Sequence, residues 1–188
     1  CVGYKTGNVF ATSSGNTAVG SSALVVNTAE EITAIGCEAL AANIDAVGNT
    51  AVGFQAGFTQ AGTDDANNTW VGYKAGNLAN GSITVRNTGI GSLCLDALTT
   101  GVNNTCVGYA AGGGMKTSSQ NVAIGSNTLR GVAGSRNMAI GQNALAVTTG
   151  SSNVGIGTGV LDAQTTASNN VAIGDSALSG NLTATRLT

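Results

Sequence analysis

The sequence predicts an all-β chain folded as a parallel β-solenoid, a β-roll of about eleven coils of 16–19 residues. Three observations predict it. First, a Gly preceded by Val or Ile recurs eleven times, at Gly3, Gly20, Gly36, Gly53, Gly72, Gly91, Gly108, Gly125, Gly141, Gly157 and Gly174. Self-similarity at a nearly fixed period is the signature of a repeat architecture. Second, Asn stands four places before that Gly in nine of the ten units that reach so far. Third, the stretches between, such as TTGVNN (99–104) and TTGSSN (148–153), are Gly/Ser/Thr/Asn turns with no room for a helix.

Within a unit, the five residues ending at the Gly carry their β-branched residue at one parity, which reads as a short strand. Each coil is expected to hold two short strands and two turns. Stacked at ~4.8 Å, such coils turn every sequence column into a ladder, and eleven of them make a rod of roughly 50 Å. The Val/Ile ladder (Val19, Ile35, Val52, Val71, Ile90, Val107, Ile124, Ile140, Ile156, Ile173) is expected to face inward. The Asn ladder (Asn16, Asn49, Asn68, Asn87, Asn104, Asn121, Asn137, Asn153, Asn170) is expected to pair side-chain amides at a turn. The Gly is expected to mark a corner that a Cβ would obstruct.

The units end in two ways, as NTAVGSSAL (16–24) and NTAVGFQAG (49–57) show. An aromatic follows the Gly at Tyr4, Phe54, Tyr73 and Tyr109, and in those units Gly stands three places further on. In the other units the latter position is Leu24, Leu40, Leu95, Leu129, Leu145, Leu161 or Leu178. Interiors pack at crystal-like density, so ring and leucine are expected to exchange within one core slot at constant volume. Duplication of two ancestral units would leave the same pattern.

Three places before the Gly, Thr stands at Thr17, Thr33, Thr50, Thr69, Thr88 and Thr105, then gives way to Val122, Met138, Val154 and Val171. The switch falls in GGGMKTSSQ (112–120), either a duplication boundary or a change of packing partner. Residues 1–188 otherwise read as a single array with a possible internal join at 112–120. The chain starts mid-strand and stops before the next motif, so the array is expected to be a fragment of a longer fibre, since solenoids need terminal caps.

Composition narrows the function. Histidine, the commonest neutral-pH acid/base, is absent, only 9% of residues are charged, and the net charge is −2. The acids recur in no column, so the paired carboxylates of a glycosidase are not evident and no enzyme activity is expected. No basic stripe exists for nucleic acid. No apolar run reaches the ~18 residues of a spanning helix, so membrane insertion of this segment is not expected. No cofactor motif stands out: GGGMKT (112–117) has Met115 where a phosphate loop needs Gly, and GIGTG (155–159) belongs to the repeat. The sequons at Asn67, Asn80, Asn103 and Asn181 follow from an Asn/Thr-rich composition. Cys1, Cys94 and Cys106 occupy slots where Ala is usual, Cys37 a variable one, and no C-x-x-C occurs. They read as free thiols rather than as disulfides or a metal site. Trp70 stands where Ala is usual. Either the interior widens there or the ring faces a neighbouring chain or a sugar, which makes Trp70 a weak receptor-binding candidate.

NVAIGSNTL (121–129), NMAIGQNAL (137–145) and NVAIGDSAL (170–178) resemble repeats of the YadA-like head of trimeric autotransporter adhesins. NTAVGFQAG (49–57) and NTWVGYKAG (68–76) are similar to NTAVGY-type repeats of bacteriophage tail fibres. The resemblance implies a left-handed parallel β-roll, intertwined or packed as a homotrimer and displayed extracellularly, on a virion tail fibre or a cell surface. The adhesin repeats are shorter than these. The expected function is a structural fibre segment of a trimeric adhesin-like protein that supports host or surface attachment. Its expected partners are further copies of itself and a host surface glycan or protein receptor. The alternatives are an ice- or crystal-binding β-solenoid and a fibre-borne polysaccharide-degrading enzyme. A Thr ladder favours ice binding, but the column shares the parity of the Val/Ile placed inside and ends at Thr105.

Overall fold

The computed structural model describes residues 1–7, 13–60, 66–79, 84–131, 134–163, 166–180 and 186–187. It is a parallel β-solenoid whose ten strands form one sheet in sequence order. The strands are β1 Thr17–Val19, β2 Thr33–Ile35, β3 Thr50–Val52, β4 Thr69–Val71, β5 Thr88–Ile90, β6 Thr105–Val107, β7 Val122–Ile124, β8 Met138–Ile140, β9 Val154–Ile156 and β10 Val171–Ile173. Each pairs in parallel with the next, column on column, as in Thr17↔Thr33, Ala18↔Ala34 and Val19↔Ile35. A further bridge joins Val2 to Val19. The sheet crosses 112–120 without a slip, because Thr105 pairs with Val122 and Val107 with Ile124.

Each sequence unit contributes one regular strand rather than two. Turns that still bond from coil to coil close the rest, as in Ser22 N–H to Tyr4 C=O at 2.8 Å and Leu24 N–H to Ala39 C=O at 3.1 Å. These turns are built on left-handed backbone. In the first of them the residue two after the Gly, Ser22, has φ 57°, and the one four after, Leu24, has φ 48°. The repeat Gly behaves as the corner expected of it. Gly108, at φ +135°, would bring a Cβ within 2.5 Å of the Gly125 carbonyl oxygen in the next coil. That atom is backbone and cannot give way.

The expected inward Val/Ile ladder is reversed. The middle residue of every strand is buried, and it is Ala in six of the ten: Ala18, Ala34, Ala51, Ala123, Ala139 and Ala172. Val19, Ile35, Ile90 and Ile124 stand about 40% exposed on the outer face. The coil is too thin for a branched side chain at mid-strand. Opposite that position come the buried Leu24, Leu40, Leu95, Leu129, Leu145 and Leu161, inserted from the left-handed corner, and they fill the space that Ala leaves. A full leucine is worth about 1.5–3 kcal/mol buried, which offsets the ~1–2 kcal/mol of its αL backbone.

The shared core slot is corrected as well. Tyr4, Phe54, Tyr73 and Tyr109 point to solvent, each at least 40% exposed. Where Gly replaces Leu, other residues fill the interior. A Cβ at Gly57 would meet Trp70 Cδ1 at 2.7 Å and Leu40 Cδ2 at 2.8 Å. One at Gly76 would run into the Trp70 ring, and one at Gly112 would meet Met115 Cε at 2.7 Å and Leu95 Cδ2 at 2.8 Å. Volume is conserved, but by Trp70 and Met115 rather than by the aromatic after the corner.

The Asn ladder forms as expected. From Asn49 onward the side-chain oxygen of one Asn accepts the next one's backbone N–H. It also accepts the side-chain amide of Asn87, Asn104, Asn121 and Asn153, as in Asn104 N and Nδ2 to Asn87 Oδ1, both 3.0 Å. The remaining amide hydrogen goes to a carbonyl across the turn, Ser118 for Asn104 at 2.9 Å. Ile32 interrupts the ladder. There Asn16 Oδ1 takes the Ile32 N–H at 2.9 Å, while the buried Asn27 and Asn43 stack beside the gap at 2.8 Å.

Candidate functional site

The feature with the reach to act on a partner is the outer face of the sheet. Strand residues alternate sides, so with the middle column inside, the first and third columns share the outer face. The third is Val or Ile in all ten strands, and the first is Thr in β1–β6 and Val or Met in β7–β10. Neither column is buried anywhere along the sheet. Ten strands at ~4.8 Å and three residues at ~3.3 Å give a strip of roughly 50 by 10 Å, or about 500 Å². That lies near the top of the ~300–600 Å² that a typical monomer leaves as its largest apolar patch. The Thr half is amphipathic, with a methyl and a hydroxyl per rung, and the Val/Met half is wholly apolar.

Beyond the glycine corner runs a second, broken line of exposed side chains. Phe54 and Tyr73, in adjacent coils, stack with ring centroids 5.5 Å apart and planes 13° from parallel. Lys74 Nζ lies 5.4 Å from the Tyr73 ring centre, and Lys5 Nζ the same distance from that of Tyr4. Sequence reading placed these aromatics in the core, and it is their position after the left-turning Gly that directs them outward.

Trp70 is not part of either surface. It is fully buried, with its indole N–H donated to Gln60 Oε1 at 3.3 Å. The interior widens to take it because Gly57, Gly76 and Gly89 surround the ring. It therefore offers no face to a receptor.

The thiols divide by position. Cys1 and Cys37 are exposed, while Cys94 and Cys106 are buried and free. Cys94 Sγ donates to the Cys106 carbonyl at 3.2 Å. The Cys106 thiol is pushed well up from its ordinary value, first by its hydrogen bond with the Cys94 thiol and then by burial. Both fill alanine-sized slots as small hydrophobes. Among the described residues no group of three or more His, Cys, Asp or Glu is disposed to hold a metal ion. Of the sequons, Asn67 and Asn103 fall on left-handed turn residues, with φ 47° and 56°. Asn80 and Asn181 lie outside the described residues. The buried Asn27 and Asn43 escaped sequence reading: both stand seven places after the repeat Gly, but that column is mixed elsewhere, with Gln60, Ala79, Leu98, Met115 and Thr148.

Comparison of the chain with protein-family models, with curated proteins and with solved structures finds no match.

Proposed function

We propose that this chain is a segment of a homotrimeric, extracellular fibre of about eleven left-handed coils, of the kind that forms a phage tail fibre or a microbial surface adhesin. In this reading it is not an enzyme, and it carries attachment functions along a rod. The observation that supports it is the outer sheet face, where Val or Ile occupies every rung although solvent meets it. Rung-to-rung contact within one chain covers only part of these side chains, and about 40% of Val19, Ile35, Ile90 and Ile124 is left to solvent. Three copies turned face to face would bury that column along its length, and cyclic symmetry is a common closed solution. Sequence resemblance adds the trimer, the handedness and the setting outside the cell.

Sedimentation equilibrium tests the proposal. A trimer is expected, and Ile90→Glu with Ile124→Glu should shift it toward monomer because both charges would lie in the shared face. A parent chain that sediments as a monomer sinks the proposal.

One observation favours a second reading. The Thr column faces outward, in six consecutive rungs at strand spacing beside the Val/Ile column, so parity no longer argues against ice or crystal binding. Thermal hysteresis separates the readings: a freezing-point depression that survives in monomeric protein supports ice binding, and none removes it.

A further inference from the structure

Five places after the repeat Gly, consecutive coils carry Asp96, Gly113 and Arg130. The middle residue has no side chain, so the column has a gap between an acid and a base. The gap continues over Gly114 into an open cavity of about 240 Å³, walled by Leu93, Asp96, Tyr109 and Arg130. A Cβ at Gly113 would stand 3.2 Å from Asp96 Oδ1, and one at Gly114 would run into the Arg130 carbonyl, so the glycines form the floor between those walls. The volume lies below the ~300 Å³ of ordinary ligand pockets, which suits a single ring.

The chemistry of the walls is specific. Asp96 and Arg130 lie two coils apart, roughly 10 Å between their backbones at ~4.8 Å per coil, and among the described residues no ion pair joins them. The Lys74 charge acts on Asp96, whereas no hydrogen bond or ion pair engages the Arg130 guanidinium among the described residues. Arg130 is therefore the unmatched charge. Tyr109 is 54% exposed and offers a ring face at the cavity wall.

We propose that this cavity binds one sugar-acid residue, a uronate of a glycan. Its carboxylate meets the planar fork of Arg130, its C–H face lies on Tyr109, and its hydroxyls donate to Asp96. The charge discriminates among ligands, because a neutral sugar leaves Arg130 unmatched. All of the walls belong to one chain, so the inference stands apart from the trimer.

Calorimetric titration of the full chain with sodium glucuronate, glucose and acetate, each to about 50 mM, tests it over the millimolar range expected of one small ring. Glucuronate should bind, with glucose and acetate at least tenfold weaker. Arg130→Gln, on an exposed side chain, should weaken glucuronate about tenfold or more. Gly113→Ser, which refills the gap, should abolish binding while the circular dichroism is unchanged, and Arg136→Gln should leave binding as it was. Absent glucuronate binding, equal binding of glucose, or undiminished binding by Arg130→Gln each overturns the proposal.

Discussion

Asn104 holds its place in the ladder by donating and accepting at once, and Asn104→Asp separates these roles without changing shape. The retained oxygen still accepts from the Asn121 N–H at 3.0 Å and Nδ2 at 3.1 Å. The other oxygen replaces the amide nitrogen and faces Asn87 Oδ1 and the Ser118 carbonyl, at the 3.0 and 2.9 Å now spanned by hydrogen bonds. Two acceptors then oppose a carboxylate in a position that is fully buried. Its neutral form is favoured, because a protonated acid can still donate once. The introduced acid's folded pKa is thereby raised above its unfolded ~3.9, so the cost is absent below that pH and grows as pH rises. If the group stays protonated to pH 7, the cost grows by about 1.4 kcal/mol per unit and reaches roughly 4 kcal/mol. Asn104→Ala instead leaves the buried Asn121 N–H and the Ser118 carbonyl short of a partner, for about 2–4 kcal/mol at any pH. Urea unfolding at pH 4 and pH 7 measures both costs. Repeat arrays open locally, so exchange of the Asn121 amide gives the local reading. An Asp variant whose deficit does not change with pH, or an Asn121 amide that exchanges at the parent rate, would refute the ladder argument.

Three further outcomes are expected. Leu145→Gly should lose about 2–4 kcal/mol, the cavity cost of a buried leucine less ~1 kcal/mol of αL relief, as urea unfolding will show; adding Gln142→Tyr should restore nothing, because position 142 faces solvent. In native protein a thiol-specific chromogenic reagent should titrate Cys1 and Cys37 only, with Cys94 and Cys106 reacting once the chain is unfolded. Burial raises the Asp96 carboxyl above its usual value, against hydrogen bonds from its own and the Ala97 backbone and the Lys74 charge. Its contribution to stability is therefore full below its unfolded pKa and is lost as pH rises through the folded one. Melting of Asp96→Asn against parent from pH 3 to 7 should show the variant gaining as pH rises, modestly because the group is half in water.

The period, the strand positions, the glycine corner and the Asn ladder were legible because each repeats, and stacking turns repetition into hydrogen bonding. What sequence alone misread was which side faces in. Thr-Ala-Val alternates, and hydrophobicity assigns Val inward. That rule assumes an interior wide enough for the larger residue. In a three-residue strand facing a leucine at the opposite corner, width decides, and Ala18, Ala34 and Ala51 go inside. The cavity beside Arg130 was hidden for another reason. It arises from an absent side chain at Gly113 between two coils, and no column statistic marks an absence as a site.

The two unit endings follow from one backbone requirement. The fourth residue after the corner is left-handed in every described unit, at φ 48° for Leu24 and Leu40, 57° for Gly57 and 64° for Gly112. Glycine adopts that conformation freely, and leucine at a cost of about 1–2 kcal/mol. Glycine would therefore win everywhere if conformation alone decided. It stands, among the coils whose surroundings are described, where Trp70 or Met115 already fills the interior. Elsewhere Leu accepts the strained backbone because an empty slot costs more, at about 24 cal/mol per Å³ of cavity. The choice between Leu and Gly thus reads out what the neighbouring coils contribute to the core. The exposed aromatic that accompanies Gly has no part in that packing, so nothing in the core explains its strict pairing with Gly.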